Sequence, residues 1–158
     1  MKNFKQMTLI ALALMTTGQS FAATSGNLLL KGIVPEELSI SVTPETIAAS
    51  LPLDTTQADT KVATINEKSN SNTGYKVSIS SSNLGNLVHE TVSSSSIAYT
   101  LKYDSNTVDL ANGDDFTFNS AASVDTNKDV EISYTGVPHA SLIEGSYSDT
   151  VTFTISAN

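Results

Sequence analysis

Two histidines, no cysteine and several serine tracts are the residues from which any chemistry here would have to be built. His89 and His139 lie far apart, and neither has a second His or a spaced carboxylate in a metal-ligand pattern, so both are expected as exposed loop residues. The serines occur as Ser80-Ser81-Ser82 and as Ser93 to Ser96. No Gly-x-Ser-x-Gly elbow accompanies them, and no glycine loop of the phosphate-cradling kind is present. Asp125, Asn127 and Asp129 alternate like the opening of a calcium loop. Val130 stands where that loop needs Gly, however, and Gly136 where it needs a bidentate Glu, so a polar hairpin turn is the better expectation. Asp114 and Asp115 follow Asn112-Gly113 and are expected on a solvated turn, where a carboxylate lacks the shifted pKa of a general acid or base. The pattern supports no catalytic, cofactor-binding or metal-ligating residue, no cofactor and no enzyme.

The elements must therefore carry the function. The chain has 158 residues, with 16 acidic and 8 basic side chains and a net charge of −8. An acidic surface of this kind releases few phosphate counterions, which argues against nucleic acid as a partner. The hydrophobic share of 39% is enough for one core, and the charged share of 15% is too low for a coiled coil. Without cysteine the fold is held by packing and backbone pairing, with no disulfide and no zinc–thiolate site.

Residues 1–22 read as a signal peptide. Lys2 and Lys5 precede the apolar run Met7 to Met15, and Ser20-Phe21-Ala22 puts small residues before a cleavage site between Ala22 and Ala23. The run is about half of the ~20 residues a membrane-spanning helix needs, and no second one follows. The expectation is an exported protein with no membrane span in the mature chain, in the periplasm in transit and then secreted or part of an extracellular structure.

Beyond the leader the period is two. Leu38, Ile40 and Val42 alternate with Ser39 and Ser41, and Tyr75, Val77 and Ile79 with Lys76 and Ser78. Ile97, Tyr99, Leu101 and Tyr103 share a face, as do Phe116 and Phe118, then Val130, Ile132 and Tyr134, then Val151, Phe153 and Ile155. Such alternation marks half-buried strands. Turn formers separate the runs at 69–74, 83–86, 112–115 and 125–128, with Asn112-Gly113 as the strongest hairpin signal. Residues 43–60, broken by Pro44 and Pro52, are expected as loop with a short edge strand. Short strands at this spacing predict an all-β, immunoglobulin-like β-sandwich, with a closed barrel as the main rival.

Three segments together resemble bacterial chaperone–usher pilin subunits and the related spore coat protein U-like domains. They are Leu28 to Val34 before Pro35, Ser71 to Ser80 followed by Ile97 to Tyr103, and Gly145 to Ile155 at the end of the chain. Gly145 stands fourteenth from the C-terminus, where such pilins commonly carry a glycine before the last strand. Ala157 replaces their usual penultimate aromatic, and their frequent disulfide is absent; the chain is more similar to the cysteine-free colonisation-factor type. The resemblance implies an incomplete sandwich finished by a donor strand. The implied partners are a periplasmic chaperone, an outer-membrane usher and other copies of the same or related subunits.

On that reading residues 23–35 form an N-terminal extension and 36–158 the domain. Leu28, Leu30, Gly32 and Val34 share one face of an extended strand and would enter a neighbour's groove. Backbone pairing would hold the strand while alternate side chains fill pockets, and Gly32 suits a close backbone approach. Gly145, Tyr147, Val151, Phe153 and Ile155 would form the strand that meets the chaperone or the next subunit. The expected function is a fimbrial subunit with an adhesive or coat role. The alternative is a self-contained secreted sandwich that binds a glycan or another surface ligand, with the apolar run as its own first strand.

Overall fold

The computed structural model describes residues 24–158, so the leader, Ala22 and Ala23 lie outside the described residues. Residues 24–33 belong to one unit and Val34–Asn158 form the other. Among its described residues, 24–33, no helix or strand is assigned. Leu28, Leu30 and Ile33 are about four-fifths exposed there.

The second unit is an antiparallel all-β sandwich. Its strands are β1 (Leu38–Pro44), β2 (Gln57–Ser69), β3 (Tyr75–Ser81), β4 (Asn86–His89), β5 (Ser96–Ala98), β6 (Thr100–Tyr103), β7 (Asn106–Thr107), β8 (Asp114–Phe118), β9 (Val124–Tyr134), β10 (Tyr147–Ser148) and β11 (Val151–Ala157). One sheet runs β1-β2-β9-β6-β7, a second β11-β3-β8, and a small third β10-β4-β5. Two 3-10 turns, Thr46–Ala49 and His139–Ser141, interrupt the connections.

The core follows the alternation. Ile65, Val77, Ile79, Leu101, Tyr103, Val130 and Ile132 are all buried. At about 25 cal/mol per Å² this apolar surface is the main force that holds the sheets face to face. The run Ile97 to Tyr103 keeps one face inward but changes sheet midway. β5 pairs with β4, β6 pairs with β9, and the Tyr99 amide at the crossover donates to the Gly85 carbonyl.

Three local expectations give way to tertiary context. Asn112-Gly113 closes no hairpin, because the Asp109 carboxylate accepts from the Ala111 and Asn112 amides and the loop leads to β8 in the other sheet. The two-residue hairpin joins β6 to β7 instead, with Asp104 at φ 49° and Ser105 at φ 67°. Asp114 and Asp115 open β8, and Asp115 is held by Lys76 and Ser78 on the neighbouring strand. Residues 125–128 lie inside β9. Asp125, Asn127 and Asp129 face out along its ladder with β2, where Lys68 and Lys61 pair with Asp125 and Asp129 and the Asn66 amide joins Asp125 to Asn127. Cross-strand partners thus turn a turn-forming tetrapeptide into strand.

β2 carries a polar residue at a core position. Glu67 is fully buried, and its Oε2 accepts a hydrogen bond from the Tyr75 hydroxyl at 2.8 Å. Its Oε1 and the Tyr103 hydroxyl have no partner among the described residues. Burial raises the Glu67 carboxyl above its ordinary value of 4.5. The folded state therefore holds the proton more tightly than the unfolded chain does. The stability this brings is complete below about pH 4.5 and disappears as pH rises through the raised value. Glu67→Gln, which cannot ionise, should match the wild type near pH 4.5 and become more stable than it toward neutrality. Urea midpoints of both proteins across that range check this; a difference that stays flat with pH would refute it.

Candidate functional site

Two edge strands face each other across the open side of the sandwich. β1 pairs only with β2, and β11 only with β3. They run side by side without a hydrogen-bonded ladder between them. In the seven-strand immunoglobulin arrangement, one sheet is ordered A-B-E-D and the other C-F-G. Here β1-β2-β9-β6 supply the first, and β3 and β11 the C-F pair. Among the described residues no strand takes the G position beside β11. Its outward backbone N–H and C=O groups are left without strand partners, and such an edge readily takes an added strand.

The place beside β11 opens into a groove of about 770 Å³. Val42, Pro44 and Leu51 line it from β1 and the segment after it, and Tyr147, Val151 and Phe153 from the β10–β11 side. Leu101, Val130 and Ile132 of the core reach its lining. Sequence explains why the walls separate: Pro44 ends β1 and the chain turns away through Thr46–Ala49. The exposure of β11 fits an uncovered site. Val151, Phe153 and Ile155 share the inward face yet are only half-buried, whereas Val77 and Ile79 on the adjacent central strand are fully buried.

Asp149 fixes the entry to β11. Its Oδ2 accepts from the Ser81 hydroxyl at 2.5 Å and the Tyr99 hydroxyl at 2.6 Å, and its Oδ1 from the Asn83 and Thr150 amides at 2.9 and 2.7 Å. One carboxylate thus ties β11 to the β3–β4 turn and to the sheet-crossing residue. Burial, followed by the Asp149 carboxylate, pushes the Tyr99 hydroxyl well above its usual range. Asp149 was not among the expected site residues. The legible signal is an acidic residue just before an alternating run, which can bond its own following amides.

His89 is not an exposed loop residue. It ends β4 and is buried, with the Tyr147 ring edge-on at 5.0 Å. Its Nδ1 accepts from the Thr91 and Val92 amides, both at 3.1 Å, so the other nitrogen, Nε2, carries the hydrogen and donates to the Glu144 carbonyl at 2.9 Å. Gly145 has φ +145°, and a Cβ there would come within 2.3 Å of Nε2, so only glycine lets this chain segment pass so close to the ring. The Tyr147 hydroxyl bonds Ser95 and both backbone groups of Ile143. Gly145 and Tyr147 therefore build one wall of the groove, Val151 and Phe153 line it, and Ile155 continues their row.

Leu28, Leu30 and Val34 are each more than 80% exposed, and Gly32 has open space around it. His139, also exposed, meets Asp54 at 3.2 Å beside a smaller cavity of about 430 Å³. Among the described residues no group of His, Asp and Glu is placed to hold a metal ion, and no helix is long and apolar enough to cross a membrane. Compared with known families and curated proteins, the chain matches no family model and no curated sequence.

Proposed function

We propose that this protein is a structural subunit of an extracellular fibre, joined to its neighbours by strand addition into the groove beside β11. The observation that carries this is the unfilled sheet position: an edge strand with half-buried core residues borders an apolar groove. The same chain carries an exposed apolar segment, Leu28 to Val34. An inserted strand would satisfy the β11 backbone edge and cover Phe153 and Val151 in one step. A periplasmic chaperone holding the same edge before assembly, and an outer-membrane usher, are the partners this mode requires. Adhesion or a surface coat would then be the role of the polymer rather than of a pocket.

The absence of cysteine gives a clean test. With Leu30→Cys and Val42→Cys in one chain, mild oxidation should produce a ladder of disulfide-linked multimers on non-reducing gels. Disulfide-linked monomer alone would mean that the segment completes its own domain, as in a self-contained secreted sandwich. Moving the first cysteine to Leu28 allows for a shifted register.

A further inference from the structure

We infer that Asn70 is a positioning residue for assembly: it holds the root of the N-terminal segment extended, and so favours insertion into a second copy over insertion into the chain's own groove. The inference rests on the strand-acceptor reading above. Just before the first residue of β1, the Glu37 carbonyl accepts from the Asn70 amide at 3.1 Å. The Asn70 side chain adds two more bonds. Its Oδ1 accepts from the Glu37 amide at 2.6 Å, and its Nδ2 donates to the Pro35 carbonyl at 2.9 Å. Asn70 itself is fixed in place, because Ser69 and Ser71 on either side are buried and the Ser71 amide donates to the Ser69 hydroxyl.

Self-insertion is the competitor because the segment is long enough for it. The groove is lined by Val42 and Pro44, at the end of β1 away from Asn70. Residues 28–34 number seven, as those of β1 do, so at about 3.3 Å per residue they would reach back along its whole length. That path requires the chain to reverse between Val34 and Leu38. A turn placed earlier would leave too few apolar residues to fill the groove.

The residue types favour that reversal. Val34-Pro35-Glu36-Glu37 puts proline at the second position of a type I turn, its preferred place, and the Glu37 amide would close the turn on the Val34 carbonyl. Asn70 holds that same amide, and through the Pro35 carbonyl it keeps the preceding residues extended. Turn and clamp therefore exclude each other. Pro35 also disfavours a helical conformation at Val34, which opposes a turn that starts one residue earlier. With the clamp made, the segment has no short way back to its own groove and stays available to another copy.

The test compares full-length chains carrying Leu30→Cys and Val42→Cys, with and without Asn70→Ala, in a thiol–disulfide buffer where the bonds exchange. At one protein concentration, non-reducing gels read the ratio of internally closed monomer to linked multimers. Losing two neutral hydrogen bonds at a solvated site should raise that ratio about tenfold in Asn70→Ala. Asn66→Ala, which removes the bonds to Asp125 and Asn127 on the outer face of the β2–β9 ladder, should leave it unchanged. Multimers at an unchanged ratio in Asn70→Ala would overturn the clamp and leave the strand-acceptor reading standing. An equal rise in Asn66→Ala would overturn the clamp too, since general loss of stability would then explain both. Closed monomer alone in the chain that keeps Asn70, or no link of either kind with the first cysteine at position 30 or 28, would sink the strand-acceptor reading and the clamp with it. Should Asn70→Ala fail to fold, Asn70→Asp still accepts from the Glu37 amide but has nothing to donate to the Pro35 carbonyl. It should raise the ratio by a smaller factor, and no rise there would equally overturn the clamp.

Discussion

A chain carrying Leu30→Lys is expected to fold as a stable monomer and to form no polymer. Leu30 is 82% exposed in the described structure, and exposed substitutions usually change stability by less than about 0.5 kcal/mol. Its urea midpoint should therefore match that of the wild type. In a neighbour's apolar groove the same lysine would be desolvated without a partner, a penalty of several kcal/mol that strand pairing cannot offset. The two measurements belong together: denaturation of the monomer, and the amount of polymer by sedimentation or electron microscopy. Loss of monomer stability in step with polymer would place Leu30 in the core of its own domain and favour the self-contained sandwich.

Asp149→Ala should be the most damaging single change near the groove, lowering stability by about 3 kcal/mol or more. Four donors lose their acceptor, and hydrogen bonds to a charged group contribute roughly 1.5–3 kcal/mol each, though not additively. The Tyr99 hydroxyl would be left in a site that is nearly closed to solvent. Tyr99→Phe removes one of these bonds and its buried donor together, so it should cost only about 1 kcal/mol. Combining the two in a double-mutant cycle measures their coupling, which should be well above zero because the Tyr99 hydroxyl donates directly to Asp149 Oδ2. Denaturant unfolding supplies all four values; equal losses from the two single changes would show that Asp149 does no more than accept from Tyr99.

Both predictions depend on how edge strands are positioned, which is where sequence and structure differ most in what they reveal. β11 and the inward row Val151, Phe153 and Ile155 were legible because alternation of apolar and Thr residues has no helical reading. The same holds for β1, β3 and the long inward row Ile97 to Tyr103. The longest strand, β2, is harder to see because Glu67 occupies an inward position and weakens the period.

By itself the sequence determined the fold class, the inward face of most strands and the absence of cysteine chemistry. Periodicity and composition are local properties, and they survive whatever the neighbours are. Only the tertiary structure decided which strands pair and which edges stay open. The Asp125 to Asp129 stretch became strand because Lys61, Asn66 and Lys68 stand across from it, and the hairpin fell at Asp104-Ser105 rather than at Asn112-Gly113. His89 was expected in solvent and proved to be buried, because two amides, a carbonyl and a glycine from distant parts of the chain enclose it. The groove likewise has no signature in the sequence. It arises where β1 turns away at Pro44 and β11 ends its sheet, and partners hundreds of atoms apart along the chain settle such a place by hydrogen bonding and packing, which no local pattern records.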